Sequence, residues 1–348
     1  MQECALVKNR LTENEPAGCE LAEYGPADCE FAKSGSTKSA ARKALEDTIV
    51  DYWDERSTTY SNGIWDELQD AHCQAWRDVL IEKLESRAGA VNNTADDLLL
   101  AGNIPFIEGL PLADDRPLAG LKVLDLGCGP GFFEIILSQL GCQVHAVDCA
   151  TQMLARACEN VAQAGRPDLV EFFCGDIAKL PFVSDVYDAV ISRNVTWLMR
   201  DPAATYAEWQ RVLKPGGKLL VFDANWYTYL ADEALDRARL CDQVDPSILN
   251  WGDRSFASTA QERRCEAIAR ELPHTFHQRP SWDLTALKTL GFTKIAADET
   301  IYRRVWNDGE QAFYATSPLF AIEATKACEE TADVSARLSK RALQDMPR

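Results

Sequence analysis

Short apolar runs alternate with segments of helical periodicity between residues 121 and 225. Because the runs are rich in Val, Leu, Ile and Phe and end at turn residues, they predict β-strands. The predicted strands are residues 121–126, 143–148, 170–174, 187–192 and 218–224. Helical patterns begin between them, at Phe132, Thr151 and Pro202. Strands that alternate with helices form right-handed βαβ units, so we expect a parallel sheet with helices on both faces.

Helical segments are predicted on either side of this region. From residue 41 to residue 86, apolar and aromatic residues recur at three- and four-residue steps, with a break near Ser61-Asn62-Gly63, which predicts two amphipathic helices. Residues 226–280 are polar, helical and Trp-containing, which indicates a lid inserted after the fifth strand. Three further elements complete the predicted sheet: a helix at 281–291, a strand at 292–297 and a last strand near 319–325.

The composition is that of a globular protein with an acidic surface. Hydrophobic residues make up 46% of the 348 residues and charged residues 26%, so the chain can bury a core without disulfides or a structural metal. The formal net charge of −18 opposes binding to nucleic acid and to anionic membrane surfaces. Residues 45–119 hold 16 acidic and 5 basic side chains. We interpret them as a solvated helical face, with attraction of a cationic substrate as the alternative.

Twelve cysteines occur in the chain, and the eight between residues 73 and 265 form no CxxC pair. We find no secretory signal pattern at the start, and no apolar run that approaches the ~18 residues of a membrane span. We therefore expect a cytoplasmic protein whose thiols are mostly buried. A tandem decapeptide, Pro16–Gly25 and Pro26–Gly35, predicts a flexible leader, with a docking tail through Cys19 and Cys29 as the alternative.

A glycine-rich turn, DLGCGPG, follows the first predicted strand of the sheet and opens a helix. Gly127, Gly129 and Gly131 allow positive φ angles and let a ligand lie directly against the backbone. A dinucleotide-binding GxGxxG turn would place its third glycine at position 132, where this chain has Phe132. The turn alone fits either a nucleotide site or a purely structural turn.

Two carboxylates at the ends of the next strands favour the nucleotide site. Asp148 ends the second predicted strand, where its side chain can accept both hydroxyl groups of a ribose. Asp176 follows the third strand and is suited to accept from an adenine amino group, with Met153 and Ile177 available to enclose the ring. Either carboxylate alone could be a helix N-cap, but signals at three successive strand ends favour a ligand.

Five segments carry a more specific pattern: VLDLGCGPG, VDCATQML, CGDIAKLPF, SRNVTWLMRDP and RVLKPGGKLLVFDAN. Through them the chain resembles, over roughly residues 45–327, the class I S-adenosylmethionine-dependent methyltransferases. The resemblance implies an α/β, Rossmann-like fold with a seven-stranded, mostly parallel sheet whose last strand is antiparallel, together with a helical N-terminal cap and an inserted lid. It also implies S-adenosylmethionine as the cofactor, laid across the strand ends.

The resemblance further assigns cofactor-binding residues. Asp125 and the glycine turn would hold the methionine end, Asp148 the ribose and Asp176 the adenine, while Asn194 would face the methionine moiety. The residues placed at the cofactor are Tyr60, Asp125, Gly127, Gly129, Gly131, Asp148, Cys149, Met153, Asp176, Ile177 and Asn194.

Within this superfamily, RNVT at 193–196 and RVLKPGG at 211–217 resemble the quinone-biosynthesis methyltransferases. Tyr60, His72 and Trp76 partly match the N-terminal pattern of those enzymes. The strand after RVLKPGG ends in FDAN rather than in that family's acidic-Phe-Ser, so a quinone acceptor is one possibility among several.

Methyl transfer from a sulfonium depends on alignment and on exclusion of water more than on a strong base. His72 is the candidate base, because similar enzymes fold this helical segment over the cofactor. Tyr60 is the candidate for contact with the cofactor's carboxylate. His274 and His277 have no third ligand at suitable spacing, so we expect no metal site. Four aromatic residues could line the acceptor pocket, with core packing as the alternative for each: Trp53, Trp197, Trp226 and Tyr227.

We therefore predict methyl transfer from S-adenosylmethionine to a small-molecule acceptor by in-line displacement. An NAD-dependent oxidoreductase and a non-catalytic S-adenosylmethionine-binding sensor or scaffold are the alternatives. The predicted parts of the chain are a leader at 1–40, a helical cap at 41–112, a cofactor-binding core at 113–225, a lid at 226–280, the end of the core sheet at 281–327 and a polar tail at 328–348.

Overall fold

The computed structural model describes residues 21–23, 37–69, 71–88, 116–241 and 258–328. Its sheet has the strand order β1-β4-β3-β2-β5-β6-β8-β7. The strands are β1 (Leu21–Glu23), β2 (Lys122–Leu126), β3 (Gln143–Asp148), β4 (Val170–Cys174), β5 (Tyr187–Arg193), β6 (Leu213–Asp223), β7 (Phe292–Asp298) and β8 (Phe320–Lys326).

The directions of the strands confirm the predicted α/β fold. Strand β8 is antiparallel to β6 and β7, and the other neighbouring strands are parallel. Strands β2 to β8 are the seven that the sequence predicts. Strand β1 adds an eighth at the edge, where three residues of the predicted leader pair with Phe172, Phe173 and Cys174. The rest of the leader, up to residue 36, lies outside the described residues.

Strand β6 is longer than predicted. It begins at Leu213 rather than at residue 218. Leu213 pairs with Tyr187, and a shift in register then brings Lys218 opposite Ala189. The Lys-Pro-Gly-Gly segment between these two pairs is therefore accommodated within the strand as an irregularity, which is where Pro and Gly are tolerated in a sheet.

Helices cover both faces of the sheet. Successive residues of a strand point to opposite faces, so Val123 packs in the core on one side of β2 and Leu124 in the core on the other. The α-helices are α1 (Thr37–Gln69), α2 (Ala71–Ala88), α3 (Phe132–Gln139), α4 (Thr151–Ala164), α5 (Pro202–Val212), α6 (Glu233–Cys241), α7 (Thr259–Arg270), α8 (Ser281–Thr289), α9 (Tyr302–Val305) and α10 (Asp308–Phe313). In the described parts of the chain, none of these helices has the length and apolarity needed to cross a membrane.

The predicted break at Ser61-Asn62-Gly63 is wrong, because α1 runs without interruption to Gln69. Asn160 of α4 explains this continuity. Its amide nitrogen donates to the Ser61 hydroxyl at 2.9 Å, and its amide oxygen accepts from the Trp65 indole at 2.9 Å. These long-range hydrogen bonds, together with burial of Ile64, outweigh the weak helix propensity of Ser, Asn and Gly.

Helix α1 also contacts the predicted lid. Ile49 and Tyr52 belong to one buried apolar cluster with Cys265 and Ile268 of α7. On the surface side, Glu55 accepts from Arg264 of α7 at 2.8 Å. Helices α1 and α7 therefore pack against each other.

We expect Asn160→Ala to reduce the free energy of unfolding by about 2–4 kcal/mol, because three groups on two segments lose their partner. The third of these groups is the carbonyl of Pro130 in the glycine turn, which accepts from the same amide nitrogen at 2.8 Å. Urea unfolding measures the change. The matched control is Gln163→Ala, an exposed position on the same helix, where we expect a change within about 0.5 kcal/mol. Equal stability of the two variants would contradict this role for Asn160.

Candidate active site

The glycine turn between β2 and α3 lies against the ends of the two neighbouring strands, β3 and β5. Gly127 has φ +77°, and a Cβ atom built on it would lie 2.3 Å from the side chain of Val195, which follows β5. Gly129 has φ +54°, and a Cβ atom there would meet no atom within 4 Å. Position 127 needs glycine because the Val195 side chain leaves no room for a Cβ atom. Gly129 instead exposes its backbone to open space, as a turn that cradles a ligand requires.

Asp148, at the end of β3, fixes this turn. Its Oδ2 atom accepts from the Gly129 N–H and its Oδ1 atom from the Ala150 N–H, both at 2.9 Å. The side chain is buried, and this burial raises the pKa of the carboxyl above its ordinary value. Each oxygen retains a second acceptor position, so the carboxylate can still bind hydroxyl groups of a ligand.

Helix α4 begins directly after Asp148 without a side-chain cap of its own, because its N-cap residue is Ala150. Helix α1 supplies the missing group. The Asp54 carboxylate accepts from the Gln152 N–H at 2.8 Å, which satisfies a first-turn donor and places a negative charge at the positive end of the helix. Helix α1 is therefore attached to the start of α4, directly after the strand end that carries Asp148.

A cavity of about 350 Å³ opens between α1 and the carboxyl ends of the strands. It brings together ten of the eleven residues that the sequence places at the cofactor: Tyr60, Asp125, Gly127, Gly129, Asp148, Cys149, Met153, Asp176, Ile177 and Asn194. Gly131 does not line the cavity, because a Cβ atom on it would lie 3.2 Å from the backbone of Ala157 in α4. The absence of a side chain at Gly131 lets the start of α3 pack closely against α4.

Two buried oxygens in this cavity have no hydrogen-bond donor among the described residues: Asp125 Oδ1 and Asn194 Oδ1. Asp125 is 3% exposed, and burial raises the pKa of its carboxyl to about 7. Unsatisfied buried acceptors are costly, and they are rare outside functional sites. A ligand group with several N–H donors and a positive charge would satisfy both atoms.

Asn194 has a left-handed backbone with φ +59°, which is unusual for a residue other than glycine. Its carbonyl accepts from the Trp197 indole at 3.0 Å, and its side-chain amide lies beside the Tyr60 hydroxyl. Burial raises the pKa of Tyr60, so its hydroxyl remains protonated and acts as a hydrogen-bonding group rather than as a base. For His72, the structure describes only a backbone position in α2.

Two arginines line the cavity without having been predicted as site residues. The Arg193 guanidinium pairs with Glu67 at 2.5 Å and lies over the ring of Phe132 at 4.4 Å, while its Nε atom has no described partner. Arg200 pairs with Asp176 at 3.0 Å and with Glu46 of α1. Both arginines lie in the SRNVTWLMRDP segment. The presence of two cations beside a strand end in so acidic a chain was the sequence signal that could have identified them as site residues.

The four predicted acceptor-pocket aromatics occupy different places. Trp53 of α1 lines the cavity, whereas Trp197, Trp226 and Tyr227 do not. Trp197 lies behind Trp53, with ring centroids 6.5 Å apart, and packs against Tyr227 at 4.7 Å. The Trp226 indole donates to Asp223 at 2.8 Å. These three residues pack behind the cavity wall and do not line the cavity. Each therefore has the core-packing role that was the alternative to lining the acceptor pocket.

Asp223, at the end of β6, is the centre of a buried ionic network under that wall. It accepts from Arg279 at 3.0 Å, and Arg279 donates to Asp283 at 2.9 Å. All three side chains are at most 1% exposed. Arg279 also donates to Thr196, so the network fixes the end of the predicted lid to the end of β6 and to the turn after β5. An unpaired charge at this depth would be strongly destabilising.

His274 and His277, which the sequence does not predict to bind a metal, lie outside the cavity. The two Nδ1 atoms are 3.1 Å apart, and the His277 ring stacks on Trp282. Among the residues that the structure describes, no group of three or more His, Cys, Asp or Glu side chains is placed to hold a metal ion.

Comparisons with known proteins agree with the geometry of this site. Residues 124–221 match the family described as "Methyltransferase domain". The arsenite methyltransferase of Halobacterium salinarum is 36% identical over 157 residues, 44% of this chain and 38% of that protein. The demethylmenaquinone methyltransferase of Renibacterium salmoninarum is 34% identical over 110 residues, 32% of this chain and 44% of that protein.

A third relative is the biotin biosynthesis bifunctional protein BioHC of Cellvibrio japonicus, 33% identical over 136 residues, 39% of this chain and 25% of that protein. The chain therefore spans less than half the length of each of these three relatives. The matched segment includes β3, β4 and β5, whose ends surround the cavity. Residues 124–221 form a class I S-adenosylmethionine-dependent methyltransferase domain.

Proposed function

We propose that this chain transfers a methyl group from S-adenosylmethionine to a small-molecule acceptor in the cavity under α1. The observation that carries the proposal is the convergence of Asp125, Asp148 and Asp176 with Asn194 in one cavity. These residues end or follow four different strands, and carboxylates at this edge of a parallel sheet are suited to a nucleoside ligand.

The residues present fit S-adenosylmethionine along its whole length. Asp148 would accept the ribose hydroxyls, since two backbone N–H groups hold its carboxylate in place. Asp176 would accept from the adenine amino group, with Met153 and Ile177 against the ring. At the other end, Asp125 and the Asn194 amide oxygen are acceptors without donors, which suits the α-ammonium group.

The carboxylate of the same ligand needs donors at the methionine end. The Tyr60 hydroxyl is protonated, and the Arg193 Nε–H has no described partner, so both groups are available there. Arg193 is held by Glu67 and by the aromatic rings around it, which fixes the guanidinium before a ligand binds. A preorganised cation of this kind costs little further entropy on binding.

S-adenosylmethionine supplies a methyl group that its sulfonium has already activated, so the protein's contribution is alignment and exclusion of water. Helix α1 closes one side of the cavity with Ile49, Val50 and Trp53, opposite Leu198 in the turn after β5. This wall is largely apolar and aromatic, which favours a planar or apolar acceptor. A quinone-type acceptor, as in the partial resemblance of RNVT and RVLKPGG, is one member of that class.

The same proposal covers partners and location. The net charge of −18 disfavours nucleic acid and anionic membranes as partners, so we expect a free small molecule as acceptor. Twelve cysteines without CxxC spacing support a location in a reducing cytoplasm. No observation favours the nicotinamide alternative, because Phe132 stands where the third glycine of that turn would be.

Asp148→Ala should weaken binding of S-adenosylmethionine and S-adenosylhomocysteine by about 1–3 kcal/mol, the cost of losing hydrogen bonds to a charged acceptor. Calorimetric titration of the full chain with both ligands, and with NAD in parallel, measures this. The matched control is Asp51→Ala, an exposed carboxylate on α1, which should bind as the unaltered protein does. Binding of NAD alone, or unchanged affinity in Asp148→Ala, would count against the proposed site.

Trp53→Ala should lower kcat/KM for the acceptor at least tenfold, on the order of the ~1.4 kcal/mol that a lost aromatic contact represents, while the affinity for S-adenosylhomocysteine changes little. The assay follows formation of S-adenosylhomocysteine over a panel of planar phenols, quinols and amines. Trp53→Phe is the conservative control and should retain most of the activity. A protein that binds the cofactor but turns over no member of a broad panel would favour the non-catalytic sensor or scaffold instead.

A further inference from the structure

A second carboxyl group lies directly behind Asp125. Glu134 occupies the first turn of α3, and its side chain is fully buried, 0% exposed. The two carboxyl groups act on each other electrostatically and lie close enough for a proton to be shared between them. Glu134 itself does not line the cavity, so any effect on a ligand passes through Asp125.

The hydrogen bonds available to this pair do not satisfy two ionised carboxylates. Asp125 Oδ1 and both Oε atoms of Glu134 receive no hydrogen bond from any described donor. Two carboxylates cannot donate to each other, and a contact between them becomes a hydrogen bond only when at least one proton is shared. Two ionised groups at this depth would also repel each other strongly.

The surrounding charges favour retention of protons. Asp148 of β3 adds a like charge that acts on both members of the pair. Cys128 in the glycine turn also lies within electrostatic range of Glu134, and burial keeps its thiol protonated. The cation that acts on Asp125 is Arg193 of β5, which is already paired with Glu67. Asp54 of α1 lies beyond, beside Asp148.

We propose that Asp125 and Glu134 form a proton-binding pair that is neutral in the acidic range and releases one proton when an ammonium group binds beside Asp125. This inference rests on the proposed function, because it takes the ligand's α-ammonium as that group. The proton leaves the Asp125 carboxyl for the solvent, and Glu134 keeps its own proton and donates it to the resulting carboxylate. Glu134 is thus a positioning residue, which sets the charge that Asp125 presents to the cavity.

The sign of the pH dependence follows from this exchange. A cation binds the ionised form of Asp125, so affinity rises as pH rises through the pKa of that carboxyl, which burial raises to about 7. Between pH 6 and pH 7 the ionised fraction grows from about one tenth to one half, which corresponds to an increase in affinity of about fivefold. The α-ammonium group of the ligand stays protonated throughout this interval.

The three histidines whose side chains the structure describes, His145, His274 and His277, do not line the cavity. Burial lowers the pKa of His145 to about 4 and also lowers the pKa values of His274 and His277. A change in ligand affinity between pH 6 and pH 7 is therefore not expected from these residues.

The test is calorimetric titration of the full chain with S-adenosylhomocysteine at pH 6.0, 6.5 and 7.0, in two buffers of different ionisation enthalpy. We expect release of nearly one proton per ligand at pH 6.0 and about half a proton at pH 7.0, with an approximately fivefold gain in affinity. 5′-Methylthioadenosine has the nucleoside but lacks the amino-acid group, so its binding should release no proton. Proton-independent binding of S-adenosylhomocysteine, or the same proton release with both ligands, would overturn the inference.

Two variants separate the proton-binding role from packing. In Glu134→Gln the amide takes the place of the protonated carboxyl as a donor to Asp125, so the proton release at pH 6.0 and the approximately fivefold rise in affinity for S-adenosylhomocysteine between pH 6.0 and 7.0 should both be retained. A merely structural Glu134 would instead give weaker binding at every pH. In Asp125→Asn the affinity for S-adenosylhomocysteine should fall, with that for 5′-methylthioadenosine unchanged.

The surface control is Glu159→Gln, an exposed position on α4 that pairs with Arg156 on the same helix, and it should keep the proton release. The outcomes also separate this inference from the proposed function. If both nucleosides bind without proton release, the pair is refuted and the cofactor assignment stands. If neither nucleoside binds, the cofactor assignment fails, and the inference fails with it.

Discussion

The carboxylate of Asp148 is the point at which the parts of the active site meet. Its two oxygens accept from Gly129 in the turn after β2 and from Ala150 at the start of α4, so one side chain joins two successive βα connections. Because the strands are parallel, their carboxyl ends lie at one edge, and the same edge carries Asp125, Asp176 and Asn194. The chemistry of the site depends on this alignment, since methyl transfer requires orientation more than a strong acid or base.

Helix α1 completes the site from a distant part of the sequence. It places Asp54 at the start of α4, Trp53 in the cavity wall and Tyr60 beside Asn194. Asn160 holds the helix to α4 and to the glycine turn at once. A ligand in the cavity is therefore enclosed by segments that are more than 60 residues apart in the sequence, which links closure of the site to the stability of the α1–α4 contact.

The sheet and the strand-end carboxylates could be predicted from the sequence because both follow from local patterns. Strands β3 and β4 begin and end at the predicted residues, where apolar runs stop at turn residues. The continuity of α1 could not be predicted, because the partner of Ser61 and Trp65 is Asn160, almost 100 residues away. Local propensity at Ser61-Asn62-Gly63 indicated a break, and tertiary hydrogen bonds overrode it.

The residues that form the cavity wall could also be predicted only in part from the sequence. An aromatic residue near a strand end can line a pocket or support it from behind, and no local pattern distinguishes Trp53 from Trp226. The buried acid Glu134 stands at a position that reads as an ordinary first-turn acidic residue, where a negative charge is favourable at a helix start. Its contact with Asp125 becomes visible only when β2 and α3 are placed against each other.

The most direct test of the account is a crystal structure of the full chain with S-adenosylhomocysteine. The account predicts the ligand in the cavity under α1, with ribose hydroxyls on Asp148, adenine near Asp176 and the ammonium group on Asp125. A ligand bound elsewhere, or in this cavity with its ammonium group away from Asp125, would contradict the assignment of the strand ends.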